Sequence, residues 1–153
     1  MPKIKITIVP IGEVKTNLNK GESQALLENE EQISKLIIFE KYVECLKHIK
    51  DFSHIMVFFW AHLVSKSERS IKKIHPKGNP LNPEKGVFAT HSQAGPNPNS
   101  LTIVKLLKRK KNILYVKNLD AFKNSPLLDI KSYVPFLNPK NDVVIPEWIK
   151  KIK

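Results

Sequence analysis

LTIVKLLKRKKNILYVKN, residues 101–118, sets two apolar runs on either side of the basic turn KRKKN. The runs at 101–107 and 113–118 are rich in β-branched and aromatic side chains and are predicted to be neighbouring strands. Upstream, HIMVFFWAHLV at 54–64 is bulky, aromatic and free of Gly and Pro, as expected of a strand buried on both faces. Residues 86–90 and 127–134 are two more strand candidates. Residues 3–9 alternate Ile4, Ile6 and Ile8 with Lys3, Lys5 and Thr7, the period of a half-buried strand, which Pro10 and Gly12 end.

Apolar character resumes over 33–39. Tyr42, Cys45, Leu46 and Ile49 then fall at i, i+3, i+4 and i+7, predicting a helix of two to three turns over 39–50 that stops at Asp51 and Ser53. Residues 15–31 are polar and acidic, a loop or short helix. Residues 65–85 carry Pro76, Pro80 and Pro83 and are predicted to be a long surface loop. Closely spaced short strands with one clear helix indicate a mainly β fold: a small antiparallel or mixed barrel, or a sandwich, with one or two short helices. Residues 1–153 are expected to form one domain, with 136–153 as a proline-marked tail ending in EWIKKIK.

Of the 153 residues, 26 are Lys or Arg and 14 Asp or Glu, and the net charge of +12 favours a polyanionic partner. Nearly all the excess is lysine; only Arg69 and Arg109 are arginine. Cys45 is the single cysteine, so no intramolecular disulfide or Cys-x-x-Cys metal pair can form, which fits a reducing cytoplasm. Its place in the amphipathic pattern predicts a core cysteine rather than a nucleophile. The alternating N-terminus does not read as a signal peptide, and the apolar run at 55–64, interrupted by His62, is too short to span a bilayer. A soluble cytoplasmic protein is expected.

Glycine occurs at 12, 21, 78, 86 and 95 only, so neither a G-x-G-x-x-G turn nor a phosphate-cradling loop can be written, which argues against a Rossmann-type site. His54 and His62 are eight residues apart, an even spacing that places both on one face of a regular strand. No motif supplies a third ligand, and no metal is expected. His62 is either a strand-end histidine with a satisfied hydrogen bond or, beside Trp60, part of a pocket at the barrel mouth. Pro96 and Pro98 make 95–98 a stiff extended corner holding Asn97, either a structural turn or a reader of a flat polar ring such as adenine. Asp129, Lys131 and Tyr133 share one strand face, as an acid–base set or as a rim ion pair.

Several ordered stretches together carry a resemblance: PIGEV (10–14), LKHIKDFSHIMVFFWAH (46–62), GVFATH (86–91), PNP (96–98), LTIVKLL (101–107), LD (119–120) and SPLLDIKSYVP (125–135). They resemble the TrmO-like (TsaA-like) family, tRNA methyltransferases that use S-adenosylmethionine to methylate N6 of threonylcarbamoyl-adenosine at tRNA position 37. The resemblance runs from residue 9 to 135. It implies a small non-Rossmann β barrel that binds the methyl donor at or near a homodimer interface. It places donor contacts on His62, Leu63, His91, Leu101, Leu127, Leu128, Asp129 and Ile130, and sets Asn97, Asp129, Lys131 and Tyr133 beside the reacting groups. Lysine patches at 72–77, 105–111 and 150–153 would hold the anticodon stem-loop through its phosphates.

The chain departs from the family where His91 and Gly95 replace arginines, where Asn99 and Ser100 follow PNP, and where Asn124, Ser125 and Pro126 replace Gly-Thr-Pro. Ser132 stands within the family's Lys-Pro-Tyr, and the family's Arg-Gln segment has no counterpart in 15–31. An arginine offers a fixed charge and a bidentate fork that neither His nor Gly reproduces. The alternative is therefore a diverged member that binds S-adenosylmethionine or a related nucleoside, or that methylates a less anionic substrate.

Overall fold

Six strands, each antiparallel to its neighbours, close a barrel in the computed structural model, which describes residues 3–20 and 32–151. They are β1 (Gly12–Lys15), β2 (Ile33–Ile38), β3 (His54–Trp60), β6 (Asn99–Lys110), β7 (Ile113–Lys117) and β8 (Pro126–Ser132). Their order around the barrel is β1-β2-β7-β6-β3-β8. Two further short strands, β4 (Lys73–Ile74) and β5 (Lys85–Gly86), pair only with each other. The chain divides into two compact units: the barrel, within Met1–His62 and Asn99–Tyr133, and a second unit within Leu63–Pro98 and Val134–Lys153.

The hairpin at 101–118 is present, with longer arms than the apolar runs mark. β6 continues through Lys110, which pairs with Ile113, so the turn is only Lys111 and Asn112, with Lys111 at φ +54°. Two of the basic residues that prolong the strand have partners outside the barrel. Lys108 lies over the Tyr115 ring at 4.5 Å from its centroid. Arg109 donates to the Leu46 carbonyl at 2.9 Å and, through Nε, to the Lys111 carbonyl at 2.8 Å. Their aliphatic stems cover the sheet while the charged ends reach polar partners.

The barrel interior is filled from alternate positions: Val14 of β1, Leu36 and Ile38 of β2, Ile55, Val57 and Phe59 of β3, Val104 and Leu106 of β6, and Leu114 and Val116 of β7. β3 is therefore buried on one face, not two as its composition predicts; Met56, Phe58 and Trp60 point outward and stay partly exposed. A closed barrel has a single interior, and outward aromatic side chains keep contact with solvent.

Four other expectations need correction. Residues 3–9 join no strand ladder, and Ile4 and Ile6 are 80% and 78% exposed. Alternation supplies a face but not a partner, and pairing starts at Gly12. The helix expected over 39–50 is two 3₁₀ segments, Glu40–Leu46 and Ile49–Asp51, broken at His48 with φ +62°. Leu46, at the end of the first segment, and Ile49, at the start of the second, are buried, while Cys45 is exposed. Cys45 is thus not a core residue.

The strand expected at 86–90 is instead the end of β5 followed by a 3₁₀ turn, Val87–Ala89. The loop at 65–85 holds β4, part of the small sheet, and a helical turn, α1 (Lys66–Arg69). α1 is secured by a capping box: the Ser65 hydroxyl accepts the Glu68 N–H at 3.2 Å, and the Glu68 carboxylate accepts the Ser65 N–H at 2.7 Å. Of the segment 15–31, residues 21–31 lie outside the described residues, while Leu18 is fully buried. The tail carries a second helical turn, α2 (Glu147–Lys151), whose Trp148 ring lies under the Lys85 ammonium. Among the described residues no helix is long and apolar enough to cross a membrane.

Candidate functional site

A β-bulge in β8 organises the barrel's outer face. Phe58 of β3 pairs with Asp129, and Phe59, the next residue, pairs with Leu127, leaving Leu128 as the extra residue. Leu127 is fully buried in the core, and in a regular strand Asp129 would share its inward face. The extra residue reverses the alternation: Ile130 packs inward opposite Val57, and Asp129 points outward beside Phe58. Two outer rows result across β8, β3 and β6, Asp129–Phe58–Leu101 and Lys131–Met56–Ile103. Leu101 and Ile103 are each 46% exposed, so the carboxylate and the amine edge an open apolar surface.

Within this face Asp129 Oδ2 lies 2.9 Å from Lys131 Nζ, and Oδ1 accepts the Ile130 N–H at 2.8 Å. The carboxylate is therefore oriented at both oxygens. It also borders a recess of about 310 Å³ lined by Ile11, Tyr42, Cys45, Phe52 and Ile130. Tyr133 follows β8 by one residue and meets His54 edge-on, with ring centroids 6.4 Å apart. Of the three groups expected on one face, the structure pairs Asp129 with Lys131 and sets Tyr133 against His54.

A second polar group closes one end of the barrel. His62 is not on β3, so the even-spacing expectation for His54 and His62 fails: the strand ends at Trp60, and the His62 N–H turns back to the Trp60 carbonyl at 2.9 Å. The buried Ser125 hydroxyl donates to the Phe122 carbonyl at 2.7 Å and lies 3.4 Å from His62 Nδ1. A hydroxyl has one proton to give, so Ser125 does not donate to Nδ1 in that longer contact. Thr102, on the inward row of β6, donates to the Asp120 carboxylate in a short hydrogen bond. Asp120, Thr102 and Ser125 are absent from the candidates predicted from sequence, although LD and SP belong to the recognised stretches.

Burial pushes the His62 imidazole below its ordinary value near 6.5. The unfolded chain then takes up a proton before the folded one as the pH falls, so stability declines from about 6.5 down through the lowered folded value. His62→Gln is expected to flatten that decline in chemical denaturation between about pH 7 and 5. An unchanged decline in the variant would assign it to other groups.

The second unit holds Leu63, His91 and Asn97. Leu63 is partly and His91 largely exposed, and Asn97 projects between exposed Pro96 and buried Pro98. Gly95 is buried at φ +123°, and its N–H donates to the Glu68 carbonyl at 3.1 Å. A side chain there would be strained by the backbone alone, so an arginine at 95 requires a different local chain path. Among the described residues no three His, Cys, Asp or Glu side chains gather as a metal site.

The family model described as the tRNA-methyltransferase O N-terminal domain matches residues 19–138. A Methanocaldococcus jannaschii protein named a probable S-adenosyl-L-methionine-binding protein is 38% identical over 109 residues, 71% of this chain and 86% of that protein. An Archaeoglobus fulgidus S-adenosyl-L-methionine-binding protein is 35% identical over 136 residues, 88% of this chain and 94% of that one. Human tRNA (adenine(37)-N6)-methyltransferase is 30% identical over 109 residues, 71% of this chain but 24% of the human protein. The crystal structure of TrmO from Pseudomonas aeruginosa superposes with a TM-score of 0.71 at 23% identity, covering 92% of this chain and 61% of that one, a likeness of fold. This chain thus spans about three fifths of that solved structure's length.

Proposed function

The chain belongs to the family of the tRNA-methyltransferase O N-terminal domain, and on that premise we propose that it methylates N6 of threonylcarbamoyl-adenosine at position 37 of tRNA, with S-adenosylmethionine as donor. The observation that carries the reading is the outward Asp129–Lys131 pair edging the apolar row of Phe58 and Leu101. The relatives named for binding S-adenosylmethionine and the human tRNA methyltransferase support it.

The donor set suits that molecule chemically. A purine ring finds apolar surface at Leu101 and Leu128, a sulfonium cation is favoured by a nearby carboxylate, and a neutral His62 adds no competing positive charge. Leu127 has its side chain in the core and its carbonyl bonded to the Ile11 N–H at 2.8 Å, so it shapes the strand rather than offering a group to the donor. When bound, the donor supplies an electrophilic methyl group for in-line displacement. The protein's own work is to fix the nucleophile, exclude water and remove the N6 proton. Asp129 takes that proton, Lys131 holds the carboxylate in place at 2.9 Å, and Leu101 and Phe58 offer apolar surface for the bound donor and base to cover. The net charge of +12 draws the anionic RNA, with an affinity that falls as salt rises.

The test is transfer of a labelled methyl group from S-adenosylmethionine to tRNA with and without the threonylcarbamoyl group. Labelling of the modified tRNA alone is the expected result. Donor binding in calorimetry with no transfer to either RNA would instead support a donor-binding protein, the reading that His91 and Gly95 favour. No donor binding at millimolar concentration would remove both readings.

A further inference from the structure

The second unit contains a site of its own. The β4–β5 ladder pairs Lys73 with Gly86, and the Val87 N–H donates to the Lys72 carbonyl at 3.0 Å, so the 3₁₀ turn at Val87–Ala89 is fastened beside Lys72. Val87 is 7% exposed and anchors the turn, whereas Phe88 is 89% exposed. Val87 thus secures a turn that presents the phenyl ring to solvent. Beside the ring is a recess of about 440 Å³, with Ile71, Val87 and Pro96 as apolar wall and Arg69 and Lys72 at its edge.

We propose that this recess receives an unpaired nucleobase of the RNA substrate, stacked on Phe88, with the flanking phosphates at Arg69 and Lys72. The proposal rests on the tRNA reading and names a contact within it. An exposed ring next to two cations matches single-stranded RNA, in which each base offers a π face and each link a negative charge. An acidic protein segment would satisfy the cations but not the flat ring, and the chain's overall charge of +12 favours the polyanion.

Fluorescence anisotropy of a labelled anticodon stem-loop RNA tests this at several salt concentrations. Phe88→Ala is expected to weaken binding roughly 5- to 150-fold, with Phe88→Trp retaining it. Lys72→Gln is expected to lower the slope of log affinity against log salt by about one. A fully paired RNA hairpin of equal charge should be insensitive to Phe88→Ala. If the native chain binds the stem-loop and Phe88→Ala binds it equally well, this proposal falls while the tRNA reading stands. If Phe88→Ala spares RNA binding but abolishes self-association in sedimentation, the ring serves a protein contact and the proposal again falls. If the native chain binds no RNA, the tRNA reading falls, and this proposal with it.

Discussion

Asp129→Asn is expected to slow methyl transfer to modified tRNA by about 10²–10⁴-fold, the usual contribution of a positioned general base. The substitution keeps size and polarity but removes the negative charge to which the proposed function assigns the N6 proton. Its structural cost is small: the pair with Lys131 is about half exposed, with side-chain accessibilities of 47% and 63%. Exposed pairs of this kind contribute roughly 0–1 kcal/mol. RNA affinity should therefore change little and donor affinity should fall only by what the sulfonium gains from the carboxylate, while the single-turnover rate at saturating donor collapses. Lys131→Met removes the group that orients the carboxylate, and its smaller loss should appear in the rate with no change in donor affinity. An Asp129→Asn variant that keeps more than about a tenth of the native rate would exclude Asp129 as the base.

The bulge that exposes Asp129 shows where sequence reading stops. Leu127 and Asp129 are two residues apart, so simple alternation assigns them one face; the unpaired Leu128 separates them into core and surface. A one-residue slip depends on what the neighbouring strand permits, and no local pattern reports it. Asp129 and Lys131 remain on one face as read, because both follow the bulge. The hairpin at 101–118 is legible because its two apolar runs and the polar turn between them are local, although the turn itself is shorter than KRKKN suggests. The capping box at Ser65 and Glu68 is equally local, and its S-x-x-E spacing was there to be read.

Elsewhere the local signal is ambiguous. The apolar spacing at 42, 45, 46 and 49 suits an α-helix, yet a 3₁₀ path with a left-handed break at His48 buries only two of the four side chains. Thr102 and Asp120 meet across 18 residues, where the β6–β7 register that pairs Lys105 with Lys117 continues beyond the end of β7. Gly95 reads in sequence as a missing arginine; in the structure it is a backbone position at φ +123°. An arginine at 95 would therefore need a different chain path.

Gly12→Ala is expected to destabilise the barrel by roughly 3 kcal/mol or prevent its folding, placing it at the severe end of single substitutions. Gly12 follows Pro10 closely and looks like a strand terminator, but it is the first residue of β1, paired with Ile38 on one side and Leu127 on the other. A Cβ at this position would sit 2.2 Å from the Ile37 carbonyl oxygen and 3.1 Å from the Ile38 Cα. Both are backbone atoms, so no rotamer change relieves the overlap; β1 must move away from β2. β1 is four residues long and is the element that joins β2 to β8, so that movement opens the barrel wall beside Val14, which is fully buried. Chemical denaturation compares this variant with Val14→Ala, a cavity-forming change in the same strand expected to cost about 2 kcal/mol. Should Gly12→Ala lie within about 0.5 kcal/mol of the native chain, β1 accommodates the methyl group and its close approach to β2 is not what closes the barrel.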